Sequence, residues 1–373
     1  MRIVHLIYAG LGGHTSVFFS HEKYAEQYGI DFSVCLYGIE EPIQSTIDQL
    51  DDKKIPYSFI KKKKGLDLKF TYKIAQSILS FKPDIVFLHS AQPLPLIKLC
   101  SLLASGTKPR FIVRETQALN LKTLRQRLNS ALALFLADKI VFLSEDYRNQ
   151  FFAGKFWKKP FRKKTTVILN GLDTDYFAPQ SDRVVETPQG IFKLGMISRL
   201  VPIKDHRTLI DATALLLQAG FNLQLHIAGE GTTFEEIKNY ISQKNLQNVI
   251  TMHGLITGAA IIRFFHNLDI YVHSSLGETM SNSIMQAQSC GLPIVATDVF
   301  GINNVIENKK NGFLFPLGNK KELTAIITQL LTRPELIDQY GRISREYAIT
   351  HLSDKHMFRQ YHDIFINLIQ NDK

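Results

Sequence analysis

At 373 residues, with 45% hydrophobic and 21% charged side chains, the chain exceeds what one hydrophobic core usually organises and shows neither collagen-like nor disordered bias, so two domains of ordinary size are expected. Its three cysteines, Cys35, Cys100 and Cys290, are scattered and lack metal-ligand spacing, which excludes a disulfide framework and a zinc site and implies a reducing, cytoplasmic setting. The net charge of +10 belongs to the first half: residues 1–170 carry 26 Lys and Arg against 14 Asp and Glu, whereas residues 171–373 carry 18 against 20.

The opening MRIVHLIYAG predicts a first strand, Arg2–Tyr8, and not a signal peptide, because no cleavage pattern follows it. It runs into Gly10-Leu11-Gly12-Gly13-His14-Thr15-Ser16, a loop whose amides and following helix can face a phosphate, Gly12 and Gly13 above all. A merely structural tight turn is the alternative. The dinucleotide fingerprint is incomplete, since Thr15 replaces its third glycine and Asp31 precedes the second strand instead of closing it. Further strands are predicted at Phe32–Tyr37, Ile85–Leu88, Phe111–Arg114, Ile140–Leu143 and Thr166–Leu169. His89 stands at the carboxyl end of Ile85–Leu88, where ligands of α/β sheets bind, a structural histidine being the alternative.

The basic residues of this half gather in Lys61–Lys64, in Lys122, Arg125 and Arg127, and in Lys155–Lys164, where six of ten residues are cationic. Anionic lipid, phosphates or nucleic acid would answer such a field, and a plain solvated surface is the bland alternative. Leu119 to Leu136 interleaves cations with leucines as an interfacial helix would, although a helix packed on the sheet fits equally. The longest apolar run, Ala131 to Ala137, is far too short to span a bilayer.

A linker is placed near Asn170–Pro179, and the strand and helix alternation then repeats, with strands at Lys193–Ser198, Leu223–Ala228, Val249–Met252, Ile270–His273, Ile294–Thr297 and Phe313–Phe315. The fold class is therefore α/β: two Rossmann-like domains, 1–170 and 171–352, with parallel sheets facing across a cleft. Residues 353–373 read as a terminal helix, with Met357, Tyr361, Phe365 and Leu368 at helical spacing, packing back on the first domain.

Two segments of the second half carry chemistry. In Met196 to His206 a strand delivers Arg199 to the loop at its carboxyl end, and Lys204 follows near a helix start, so two cations and a helix dipole converge as a diphosphate leaving group requires. In Ser274 to Ile306, Glu278 lies in a turn after a strand and Gln286 eight residues on, two acceptors about ten ångströms apart along a short helix.

The order of these pieces resembles glycosyltransferase family 4, the retaining GT-B enzymes, over nearly the whole chain. The matching stretches are the opening Gly-rich loop, Ile168 to Phe177, Ser198 to Lys204, Leu225 to Gly231 and Glu278 to Asp298. The resemblance implies that Arg199 and Lys204 hold the donor diphosphate and that Gly229 and Gly231 lie close to the nucleotide. It also implies that Glu278 contacts the transferred sugar and that the amides of Met280, Ser281 and Asn282 meet phosphate. The family's second glutamate, a ribose contact, is Gln286 here, and a neutral amide accepts a hydroxyl hydrogen bond more weakly than a carboxylate does. Arg114-Glu115-Thr116-Gln117 resembles a Ser-Glu-Arg-Asn version of the family's first-domain motif, which would put Glu115 beside the acceptor.

On this resemblance the expected function is retaining transfer of a hexose or N-acetylhexosamine from a nucleoside-diphosphate sugar to a hydroxyl acceptor, a lipid-linked or cell-surface glycan precursor. A UDP-sugar is favoured, with no tightly bound cofactor, no metal and no nucleic acid partner, and the basic first domain would meet an anionic membrane from the cytoplasmic side. A sugar-nucleotide epimerase of the same architecture and a non-catalytic nucleotide-sugar-binding or assembly protein are the alternatives, the latter kept open by Gln286.

Overall fold

Seven short runs rich in Val, Ile and Phe form parallel strands in the first half of the chain, in a computed structural model that describes residues 1–370 apart from 10–13, 64–67, 92–94, 117–121, 155, 181–189 and 279. They are β1 (Arg2–Tyr8), β2 (Asp31–Gly38), β3 (Tyr57–Lys61), β4 (Ile85–Leu88), β5 (Arg110–Glu115), β6 (Lys139–Phe142) and β7 (Thr165–Val167), in spatial order β3-β2-β1-β4-β5-β6-β7. All four residues of β4 are buried, as in a sheet covered on both faces by crossover helices. Those helices are α1 (His14–Glu22), α2 (Gln44–Asp52), α3 (Leu68–Ser80), α4 (Pro95–Leu103), α5 (Leu124–Leu136) and α6 (Glu145–Phe152).

Six strands follow in the second half: β8 (Phe192–Ile197), β9 (Leu223–Ala228), β10 (Ile250–Met252), β11 (Ile270–His273), β12 (Ile294–Thr297) and β13 (Phe313–Phe315), ordered β10-β9-β8-β11-β12-β13. Their helices are α7 (His206–Gln218), α8 (Phe234–Gln243), α9 (Ala259–His266), α10 (Asn282–Ser289), α11 (Lys320–Thr332) and α12 (Pro334–His351). A last helix, α13 (Asp354–Gln370), buries Met357, Phe358, Tyr361 and Phe365 in the core built on the first sheet. The chain thus divides into one unit of Met1–Gly171 with Asp354–Lys373 and a second of Leu172–Ser353.

Each sheet reverses its winding at one point, between β1 and β4 in the first unit and between β8 and β11 in the second. Neighbouring crossovers leave in opposite directions there, opening a crevice beyond the strands' carboxyl ends. Three details depart from the sequence expectations. The edge strand β3 was not foreseen, because its run ends in the Lys61–Lys64 charge block. Helix α5 starts at Leu124 and not at Leu119, because Thr123 and Gln126 cap it reciprocally. Lys122 therefore precedes the helix and is buried, which removes it from any interfacial face. Among the described residues no helix is long and apolar enough to cross a membrane.

Candidate active site

The crevice of the second unit is a pocket of about 540 Å³ lined by Arg199, Lys204, Gly229, Glu230, Glu278, Met280, Ser281, Asn282 and Gln286, among others. The fold thus brings together residues from three separated segments. Strand β8 ends at Ile197 and hands Arg199 to the rim, exposed, with no side-chain hydrogen bond or ion pair among the described residues. One 3-10 turn, Pro202–Lys204, then sets Lys204 inward, where it is 9% exposed. Asp205 follows at φ 22°, a conformation few non-glycine residues adopt, and its carboxylate caps α7 through the Thr208 amide at 3.4 Å. The strained turn fixes where Lys204 points.

Lys204 donates an ion-pair hydrogen bond to Glu278, so the carboxylate holds the cation. His273, the last residue of β11 and fully buried, places its Nε2 2.9 Å from the same Glu278 oxygen. Its Nδ1 lies 3.2 Å from the Tyr271 hydroxyl, which receives the Ile197 amide at 3.3 Å. Burial pushes the His273 imidazole down despite the neighbouring carboxylate, so it is neutral, carrying its proton on Nε2 and accepting from Tyr271 on Nδ1. Burial opposes ionisation of Glu278, but the hydrogen bonds and charge of His273 and Lys204 outweigh it and hold the carboxyl at about 2. Glu278 is an anion oriented from two sides. Sequence reasoning missed His273; the available signal was a histidine closing a strand immediately ahead of the Glu278 loop.

Gly229 and Gly231 let two loops of the second unit meet closely. A Cβ on Gly229, at φ 135°, would lie 1.8 Å from the Ser198 carbonyl oxygen, and one on Gly231, at φ 156°, 2.1 Å from that of Leu200. Only glycine lets this loop press against the Arg199 loop, which it grips through Leu200 N–H to Glu230 O at 2.8 Å and Thr233 N–H to Leu200 O at 3.0 Å. Gly229 lines the pocket, and Gly231 is not among its lining residues. Ser281 is the N-cap of α10 with no side-chain cap bond, so the amides of the first turn, Asn282 included, are left for an anion. Gln286 stands one turn further along the same helix.

The first unit has its own cavity of about 430 Å³ at its winding reversal, lined by Tyr8, His14, Tyr37, His89, Glu115 and Lys122, among others. Glu115 is 2% exposed; one carboxylate oxygen takes a short hydrogen bond from Lys122 and one from the Tyr147 hydroxyl at 3.1 Å. Lys122 also donates to Ser130 at 2.6 Å. Gly12 and Gly13 lie outside the described residues.

Residues 179–347 match the profile of the family described as Glycosyl transferases group 1, which contains every residue of the second-unit pocket named above. Residues 179–347 are thus similar to the group 1 glycosyltransferases. The chain is 28% identical over 173 residues to the poly(ribitol-phosphate) alpha-N-acetylglucosaminyltransferase of Staphylococcus aureus, covering 46% of this chain and 35% of that protein. With the Escherichia coli UDP-Gal:alpha-D-GlcNAc-diphosphoundecaprenol alpha-1,3-galactosyltransferase it shares 23% identity over 82% of this chain and 81% of the relative. The first relatives it matches are spanned over 35, 66 and 42% of their own length. Among solved structures, Anabaena HepE in complex with UDP and glucose superposes with a TM-score of 0.79 at 19% identity, covering 98% of this chain and 99% of HepE. The chain therefore has the GT-B fold, each unit supplying one of its two parallel sheets.

Proposed function

We propose that this protein transfers a hexose or N-acetylhexosamine from a nucleoside-diphosphate sugar to a hydroxyl acceptor with retention at the anomeric carbon. The convergence of Arg199, Lys204, Glu278 and the first turn of α10 on one pocket carries the reading. An arriving diphosphate would draw Lys204 from Glu278, so that Arg199, Lys204 and the α10 amides take the phosphates while the released carboxylate orients the sugar hydroxyls. In the transfer step the bond from the anomeric carbon to the diphosphate oxygen breaks. The acceptor oxygen attacks the face that the diphosphate leaves, and a diphosphate oxygen takes the acceptor's proton. UDP is favoured as the carrier because HepE was crystallised with it.

The acceptor we propose is lipid-linked and met at an anionic membrane surface. Helix α5 supports this: Leu124, Leu128, Leu132 and Phe135 are 75, 58, 51 and 55% exposed along one stripe. Exposed Arg125 and Arg127 flank it, and Phe135 packs on Phe161 at 4.7 Å in the basic segment that carries exposed Lys159, Arg162 and Lys163. A contiguous apolar stripe between cations matches an interface of acyl chains and anionic headgroups. The Escherichia coli relative is named for a diphosphoundecaprenol acceptor.

Incubation with radiolabelled UDP-, GDP- and ADP-sugars tests the donor assignment. Slow release of free sugar and nucleotide from one of them is expected, and Arg199→Ala should lower its kcat/KM by about two to three orders of magnitude, as removing one preorganised donor does. Neither binding nor turnover of any nucleotide-sugar would refute the assignment.

A further inference from the structure

Glu278 has to give up Lys204 before it meets a sugar, and its second partner, His273, then stands alone beside it. Behind His273 lies a hydroxyl, that of Tyr271, which is not among the pocket's lining. Tyr271 and His273 are alternate residues of β11, so both side chains leave the same face of the sheet, and both are fully buried. The Tyr271 oxygen receives the Ile197 amide at 3.3 Å, at the end of β8, and the Ser283 hydroxyl from the first turn of α10. Its own proton has two acceptors within reach, His273 Nδ1 and the Ile197 carbonyl oxygen, each at 3.2 Å. Burial pushes the ionisation of Tyr271 up, so that proton stays.

Glu278 decides the tautomer of the ring. A carboxylate only accepts, so Nε2, 2.9 Å from it, carries the proton and Nδ1 is left a lone pair. The Tyr271 hydroxyl is the donor that fills it. A second proton on the ring would set an Nδ1–H against an oxygen whose lone pairs already take the Ile197 amide and Ser283. Tyr271 thus favours the neutral ring over the imidazolium.

The other groups that bear on the ring are Glu278 from the loop after β11, Lys204 from the turn ahead of α7 and His206 from α7 itself. His206 is pushed down to about 4, by burial first and then by His273 and Lys204, so at neutral pH it brings no charge. Burial opposes a charge on His273, Glu278 favours one and Lys204 opposes it. A diphosphate that draws Lys204 away leaves the pull of Glu278 opposed by burial and Tyr271. An imidazolium formed at that moment would pair with Glu278 and cancel the charge that is to orient the sugar hydroxyls.

We propose that Tyr271 is a positioning residue for sugar transfer: by donating to His273 Nδ1 it holds the ring in its Nε2–H tautomer once Lys204 has left, so that Glu278 keeps its negative charge for the sugar. The effect on transfer rests on the proposed transferase function; the control of His273 does not.

Lys204→Ala reproduces the withdrawal without any nucleotide, and selective 15N-histidine labelling of the full chain reads the ring. His273 in this variant should keep a protonated Nε2 and a bare Nδ1 between about pH 8 and 6, and adding Tyr271→Phe should make it bind a second proton about tenfold more tightly. A bare Nε2 in the wild type, or identical titrations with and without Tyr271→Phe, overturns the proposal. If the variants do not fold, the wild type with UDP bound decides: a neutral His273 at about pH 7 upholds the proposal and a doubly protonated one overturns it. With a nucleotide-sugar that is turned over, Tyr271→Phe should lower kcat about tenfold at about pH 6 and far less at about pH 8, with KM unchanged. In a His273→Gln background, whose amide donates to Glu278 and takes no second proton, the same substitution should cost less than about threefold at either pH. A loss equal at both pH values, or equal in both backgrounds, is that of a packing residue and overturns the proposal. The expected histidine titrations in a protein that turns over no nucleotide-sugar would uphold the control of His273 by Tyr271 while refuting the transferase reading.

Discussion

Glu278 is ionised in the folded protein far below its ordinary range, and that has a measurable consequence. Its folded value of about 2 lies beneath the 4.5 of an unperturbed glutamate. A depressed value stabilises the folded state above the unfolded value, and the contribution is lost as pH falls from about 4.5 toward 2. The difference in urea-unfolding free energy between wild type and Glu278→Gln should therefore be largest above pH 6 and shrink by roughly half at pH 3. A gap independent of pH would show that His273 and Lys204 do not hold the carboxyl as described. Gln286 is the second residue-scale question. Replacing it by Glu supplies a carboxylate acceptor on α10 in the same pocket and should tighten UDP by about tenfold, the worth of exchanging a neutral for a charged hydrogen bond. Unchanged or weaker UDP binding by calorimetry would remove Gln286 from the ribose site. Arg199, Lys204, Glu278 and Gln286 were legible in the sequence because each follows a strand or rides a helix within a few residues. The Glu115 to Lys122 pair and the His5 to His89 contact were not: the first joins the end of β5 to a residue outside any strand or helix, and pairing of β1 with β4 across 84 residues makes the second.

At the scale of elements, α5 shows what periodicity can and cannot tell. Its leucines at every fourth position were visible, but an apolar stripe of this kind usually packs on a sheet, and only the exposures show that Leu124, Leu128 and Leu132 do not. The opposite side of the same helix buries Ala133 and Leu134 and lends Gln126, Asn129 and Ser130 to the first-unit cavity. One helix thus forms the cavity wall and carries the apolar stripe, so docking the stripe on lipid would bring a membrane-embedded acceptor to the cavity. The double variant Leu128→Asp with Leu132→Asp should keep the wild-type Tm, since exposed positions contribute little to folding. Its sedimentation with phosphatidylglycerol-containing vesicles at low salt should fall to background, while wild type co-sediments and is released by salt. Equal sedimentation of the two would place membrane contact elsewhere. The unforeseen strand β3 has a different cause: four lysines at its end mask the alternation that the preceding residues carry.

The whole molecule is organised by a chain that closes on itself. After completing the second unit it returns through α13, which inserts Met357, Phe358, Tyr361 and Phe365 beside Phe18 and Phe87 in the first core. Tyr24 and Lys23 tie down the start of the helix through Asp354 at 2.7 and 3.2 Å. The apolar spacing of this helix was readable from sequence; which core it fills was a matter of tertiary structure. Four large side chains, each at most 2% exposed, are worth about 1.5–3 kcal/mol apiece, roughly 6–12 kcal/mol together, which is comparable to the entire stability of an ordinary domain. Among the described residues, the cluster built on the second sheet includes none from α13; Leu209, Leu225, Ile270 and Phe315 pack among residues 194–337. Removing residues 354–373 should therefore unfold the first unit and spare the second. Calorimetry of the truncated chain should retain one cooperative transition, still raised by UDP through the Arg199 pocket, and 15N spectra should lose the first-unit resonances alone. Loss of both transitions would mean that the second unit depends on the first for its own stability, and retention of both would mean that α13 contributes far less than its burial implies.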